Sequence, residues 1–327
     1  MALAQELPDS FVEALKLTQS LLSRNISLVR TGVIESEAEQ IVMAAYRKTE
    51  GVALSRVEFH VRMKDRLPEA AAKQVILWAN LRSEGKLLQH LIGYQQFLDH
   101  DYDVSPAVLI PRPETEVLVT EAISRLKSLS PRLGLEVGLG SGIISIELLL
   151  ALPSLQMKAS ELTSEAIECA KRNSTKLLGP DATRLQILQA SAPGQVLDVF
   201  KATLTTPVDF IISNPPYLRR GIAGDALSAG VEAPEVDDDV LVHEPASALF
   251  APADDVLYFY REIAHHSPAL LKAGGLVFLE IPHERASEIA ELFAYSPLAG
   301  HSKNPQWTVT TLKDLNQRDR ILVAKYG

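Results

Sequence analysis

The stretch "LGLEVGLGSGIISIELLLAL", residues 133–152, decides the fold. LGLEVGLG has the length and apolar character of a buried strand, and GIISIELLLAL that of a helix. Between them lie Gly138, Gly140 and Gly142, in EVGLGSG. Glycine admits φ > 0 and lets a backbone come close to a ligand. The turn is not the dinucleotide fingerprint G-x-G-x-x-G, because Ile143 stands at the last glycine position. A tight strand-to-helix turn without a ligand is the plain alternative.

Working outward from this unit, strands and helices alternate. LQMKASEL is a strand and SEAIECAKRNSTKLL a helix; RLQILQAS and PVDFIISN are strands. VLYFYREIAHHSPALL reads as a helix broken at Gly274-Gly275, then LVFLEIP as a strand and ERASEIAELFA as a helix. Two late strands, QWTVTTLKDL and RILVAKYG, lie close together. The pattern predicts an α/β, doubly wound and mostly parallel sheet with an antiparallel edge pair. Pro113 opens a helix whose face carries Leu118, Ala122, Leu126 and Leu129. Residues 9–85 show helical spacing only, with capping boxes at Ser10/Glu13 and Ser36/Glu39, and predict a small helical bundle. Residues 86–112 mix aromatics, β-branched residues and prolines, as a hairpin or extended connector would. The predicted organisation is 1–85 helical, 86–112 connector and 113–327 the α/β domain. Residues 219–242, small and rich in Gly and Asp, predict a mobile loop.

Composition excludes several functions. The 327 residues carry a net charge of -9, which argues against a protein that coats nucleic acid. One cysteine, Cys169, allows neither an intrachain disulfide nor a cysteine metal site. His265 and His266 are adjacent and cannot face one ion together, so no metal is expected. The apolar run Ile143 to Pro153 contains Glu147 and is too short to span a bilayer. Glu6 and Asp9 near the start do not suit a secretory leader. A cytoplasmic monomer without membrane association is the expectation.

Two further residue groups could carry chemistry. Glu161 ends the strand after the Gly-rich turn, 19 positions beyond Gly142. An acid there can accept hydrogen bonds from ribose hydroxyls, although acids also favour helix starts. Asn214-Pro215-Pro216-Tyr217 ends the strand DFIIS. Ligands of open α/β sheets bind at that edge. The prolines fix the backbone, so the Asn214 side chain and the Pro215 carbonyl can converge as two acceptors for one –NH2 group. Tyr217 offers an aromatic wall. A rigid turn is the alternative.

EVGLGSG, Glu161 and NPPY in this order resemble the S-adenosylmethionine-dependent methyltransferases of Rossmann-like fold. IGYQQFLDHDYDVSPAVLIPRPETEVLV (92–119), HEPASALF (243–250), YREI (260–263) and LKDLNQRDRIL (312–322) narrow the resemblance to the HemK/PrmC-type glutamine methyltransferases. The resemblance implies a class I sheet with an N-terminal helical domain. It implies methyl transfer to the glutamine amide in the Gly-Gly-Gln motif of peptide chain release factors, leaving S-adenosylhomocysteine and using no metal. It implies Asn214, Pro215 and Tyr217 as catalytic and, with Pro216, as substrate-binding residues. Phe97, Arg112 and Glu114 would add to the substrate groove. Glu136, Gly138, Gly140, Gly142, Glu161, Ser191 and Asn214 would hold the cofactor. Departures from the family's wording are Glu136 for Asp, Ser191 for an acid, APADDV (251–256) for a glycine turn, and LEIPHER (279–285) for a Gly…Gln ending. Two other readings compete: methylation of a ribosomal-protein glutamine or nucleic-acid base, and a binding protein that has lost catalysis. No stable nucleic-acid binding is expected.

Overall fold

A computed structural model of the chain describes residues 6–219, 242–294, 307–314 and 316–327. The predicted loop 219–242 lies, but for its two ends, outside the described residues. The chain divides into two compact units, with the division between Tyr94 and Gln95.

The first unit is helical: α1 (Phe11–Leu22), α2 (Ile26–Thr31), α3 (Ile34–Glu50), α4 (Arg56–Val61), α5 (Glu69–Ser83) and α6 (Leu88–Ile92). Ser10 caps α1, its side chain accepting from the Glu13 N–H. The expected cap at Ser36 is corrected. Helix α3 already begins at Ile34, and the Ser36 hydroxyl donates back to the Val33 carbonyl. A complete capping box sits instead at Ser55/Glu58 on α4. Phe11, Ile41, Val42, Phe59 and Trp78 are buried together as the core of this unit. Arg82, almost fully buried, forks onto Glu37 at 2.6 and 3.1 Å, which leaves neither charge unpaired.

The second unit holds a hairpin strand, β2 (His100–Asp103), paired with β1 (Tyr94–Phe97), and a seven-stranded sheet. The sheet strands are β3 (Leu133–Val137), β4 (Gln156–Glu161), β5 (Leu185–Gln189), β6 (Val208–Ser213), β7 (Leu271–Glu280), β8 (Trp307–Lys313) and β9 (Asp319–Tyr326). Their order is β5-β4-β3-β6-β7-β9-β8. The first five are parallel, and β9 runs antiparallel to both its neighbours. The helices are α7 (Pro113–Leu129), α8 (Ile143–Ala151), α9 (Ser164–Leu178), α10 (Asp198–Lys201), α11 (Ala246–Leu249), α12 (Tyr258–Leu270) and α13 (Ala286–Ala294).

Both sheet faces are covered. Phe210, Ile212 and Phe278 belong to one core; Ile211, Val277 and Leu279 belong to the other. That is why the central strands are continuously apolar rather than alternating. Gly134 is required for this packing: a Cβ there would lie 2.2 Å from the Phe210 ring. Two local expectations change. Leu129 is 57% exposed and outside the buried stripe of α7, because the helix ends there and Ser130 turns away at φ 49°. Gly274-Gly275 lie within β7, since the pairing with β6 jumps from Val208↔Leu271 to Phe210↔Leu276. The glycines occupy that bulge, with Gly274 at φ 78°.

Candidate active site

The sheet order brings the carboxyl ends of β3, β4 and β6 to one edge, where ligands of parallel sheets bind. A cleft, partly open to solvent, lies there within the second unit. Thr115, Glu136, Gly138, Gly140, Glu161, Asn214, Pro215 and Pro216 all line it. The sequence-separated Gly-rich turn, Glu161 and NPP corner therefore share one cavity.

The turn after β3 is pinned to β4: the N–H groups of Gly138 and Leu139 both donate to the Ser160 carbonyl at 3.0 Å. Gly138 and Gly140 have φ of 78° and 56°, and a Cβ at either would meet nothing within 4 Å. Each glycine is thus demanded by its backbone, and the space beside it is open. Gly142, at φ 87°, caps α8 and packs near Ala170. Glu161 ties the tip down. One carboxylate oxygen accepts from Gly140 N–H at 2.9 Å, the other from Leu162 and Thr163 N–H at 2.7 and 3.1 Å.

Glu136 is fully buried. Its Oε2 accepts from the Ser145 N–H at 3.0 Å and from the Ser145 hydroxyl. Its Oε1 is buried with no hydrogen-bond partner among the described residues. Burial, opposed in part by Ser145 and reinforced by the like charge of Glu161, pushes its carboxyl pKa up to about 8. A cationic ligand group would relieve that oxygen.

At the end of β6, Asn214 Nδ2 donates to the Thr115 hydroxyl at 3.1 Å, and that hydroxyl donates to Glu280 Oε2 at 2.7 Å. Pro215 is buried and Asn214 half-buried. The Tyr217 ring packs on the second core, and burial, with the Glu280 charge second, pushes its phenol up to about 12. Glu280 is itself buried, and its pKa rises to about 7 for the same first reason.

The remaining predicted residues fall elsewhere. Phe97 is 1% exposed and stacks edge-on to Tyr102 in the core, so its ring is not a surface for a substrate. Arg112 donates to Glu244 Oε2 at 2.6 Å, while Glu244 Oε1 accepts from Ile110 N–H. Glu114 is half-buried and near the charges of Glu280 and Arg320. Ser191 is exposed and does not line the cleft. Sequence reasoning missed Thr115, Glu280 and Glu244. The first two had signals: a hydroxyl on the buried stripe of α7, and an acid ending an apolar strand, as Glu161 does.

The fold and the cleft define a methyltransferase of the Rossmann-like class. The family described as "Methyltransferase small domain" matches residues 115–229. The release factor glutamine methyltransferase of Bacteroides thetaiotaomicron is 33% identical over 239 residues, covering 72% of this chain and 75% of that protein. The release factor glutamine methyltransferase of Streptococcus pneumoniae is 30% identical over 316 residues, covering 96% and 99%. The chain belongs to the release factor glutamine methyltransferase family. Among solved structures, the hMettl16 catalytic domain in complex with a MAT2A 3′UTR hairpin aligns with TM-score 0.51 and 17% identity. It covers 76% of this chain and 80% of its own, and shows the fold alone.

Proposed function

We propose that this chain transfers a methyl group from S-adenosylmethionine to the side-chain amide nitrogen of the glutamine in the Gly-Gly-Gln motif of peptide chain release factors. The observation that carries the reading is the position of Asn214-Pro215-Pro216 in the cleft that also holds the Gly-rich turn, Glu136 and Glu161.

The residues present fit the methyl donor. Glu136 lines the cleft and has a buried oxygen without a partner among the described residues, which a cationic group would satisfy, and the open space beside Gly138 and Gly140 admits a close-lying ligand. The adjoining recess has apolar walls from Leu162, Phe250 and Phe259, suited to a flat base. Glu161 would exchange its bonds to backbone for bonds to ribose hydroxyls. When bound, the donor supplies an electrophilic methyl on a sulfonium.

This chain's residues then have one task, which is alignment. An amide nitrogen is a poor nucleophile because its lone pair is shared with the carbonyl. Asn214 Oδ1 and the Pro215 carbonyl accept its two N–H bonds and hold it in line with the methyl. Alignment of this kind lowers barriers by roughly 7–11 kcal/mol in favourable cases. The two acceptor dipoles also favour the positive charge that develops on nitrogen. The proton leaves late, so no strong general base is needed. The helical unit recognises the protein substrate. Among the described residues no cluster suited to a metal ion occurs.

The test is transfer of labelled methyl to the host's own release factor, with the modified residue located by peptide mass spectrometry. A methyl on the Gly-Gly-Gln glutamine supports the reading. Donor binding without transfer to that factor overturns the substrate.

A further inference from the structure

We infer that Thr115 and Glu280 act as a positioning pair that decides which way round the Asn214 amide stands. The inference rests on the reading that Asn214 must present its oxygen to the substrate amide.

A half-buried carboxamide can stand in two orientations with almost the same shape, one presenting oxygen and the other –NH2. Only the first can accept a substrate N–H. The structure supplies a means of choosing. Thr115, on the first turn of α7, and Glu280, at the end of β7, are both buried. The Thr115 hydroxyl has one proton and gives it to Glu280 Oε2 at 2.7 Å. It can therefore only accept from Asn214, and does so from Nδ2 at 3.1 Å. The nitrogen is drawn to Thr115 and the oxygen is turned away from it. Glu280 is held in place by its backbone, whose carbonyl accepts from the Tyr260 hydroxyl at 3.0 Å.

The chain of bonds reverses if Glu280 takes up a proton. A protonated carboxyl can donate to Thr115, which then donates to Asn214 Oδ1 and turns the amide over. The groups acting on Glu280 are Arg320 from β9, itself paired with Asp314, Glu114 and Arg112 at the start of α7, Tyr217 beyond β6, and Tyr260 from α12. Burial outweighs the two arginines and lifts Glu280 to about 7. The productive orientation is thus complete above that pH and is lost as pH falls through it.

Two experiments on the full chain test this. The first is kcat at saturating donor on the release factor. Thr115→Val should lower it by roughly 10- to 100-fold, as loss of a positioning contact does, with donor affinity within about twofold of wild type. Thr115→Ser should restore most of it. Glu280→Gln should abolish the acid limb near pH 7, and Thr115→Val/Glu280→Gln should be no worse than Thr115→Val alone, because both act through one chain. The second needs no substrate. In asparagine-15N-labelled protein, the Asn214 side-chain resonance, assigned by its absence in Asn214→Ala, should shift with a midpoint near pH 7. That shift should vanish in Glu280→Gln and in Thr115→Val. A flat resonance in wild type, or wild-type kcat in Thr115→Val, overturns the pair. A titrating resonance in a protein that methylates no release factor instead upholds the pair and places the fault in the proposed substrate.

Discussion

The edge of the sheet carries two buried acids, Glu136 at the end of β3 and Glu280 at the end of β7, and they are used in opposite ways. Each is held above the ordinary carboxyl range by burial. Glu136 keeps one oxygen on Ser145 and leaves the other without a partner among the described residues. Glu280 accepts from Thr115, an internal side chain that in turn holds Asn214. An unsatisfied buried oxygen costs free energy, so its persistence at a cleft marks a place where a ligand completes the bonding. A satisfied acid beneath a reactive corner marks a support. On the proposed reading, the difference separates the end for the donor from the end for the acceptor nitrogen.

The sharpest break of this comparison is Asn214→Ala. Transfer should fall by at least about 100-fold, while isothermal titration shows donor binding nearly unchanged. Activity at the wild-type rate would make Asn214 a turn residue only.

Exchanging the two acids comes next. Glu136→Gln should weaken donor binding by about 10- to 100-fold, the loss of a hydrogen bond to a charged group. Glu280→Gln should leave donor affinity within about twofold. Equal losses measured by calorimetry would erase the distinction between the two ends.

Stability against pH sharpens the pair further. In the native chain Glu136 keeps its proton up to about 8, whereas an unfolded carboxyl loses it near the ordinary value of 4.5. The native state therefore binds more protons across that window, and stability declines as pH rises through it. Glu280 adds a decline that ends near 7. Thermal melts of Glu136→Gln should flatten the upper part of the slope, and those of Glu280→Gln only the lower part. A melting-temperature difference between wild type and each variant that stays constant across these pH windows would contradict both.

The smallest expected effect is that of Ser145→Ala. It removes the hydroxyl that donates to Glu136. The loss should be about 1–3 kcal/mol by denaturant melts at alkaline pH, where the acid is ionised, and smaller at acid pH. An equal loss at both would mean that the hydroxyl serves packing rather than the charge.

Much of the architecture was legible from local chemistry. The bounds of α9, Ser164–Leu178, coincide with the predicted helix, because its amphipathic spacing and flanking glycine act within one segment. Pro113 at the first turn of α7 was legible for the same reason. Where reading failed, the folded surroundings decided what residue types alone could not. Ser36 lost its cap because α3 starts two residues earlier, and the two glycines of β7 serve a bulge that exists only beside β6. Phe97 looked available to a substrate until its packing against Tyr102 placed it in the core.

The sequence by itself determined the strand–turn–helix after β3, the rigid corner after β6 and the family to which the chain belongs. Each rests on residue types whose backbone preferences are intrinsic: glycine at positive φ, proline at fixed φ. Only the tertiary structure decided that Thr115 meets Asn214 across 99 positions and Glu280 across 165. It alone also decided that Glu136 faces the cleft with an oxygen to spare. Hydrogen bonds between buried groups depend on distance and direction in space, and those follow from the order β3-β6-β7 in the sheet, which no local preference encodes.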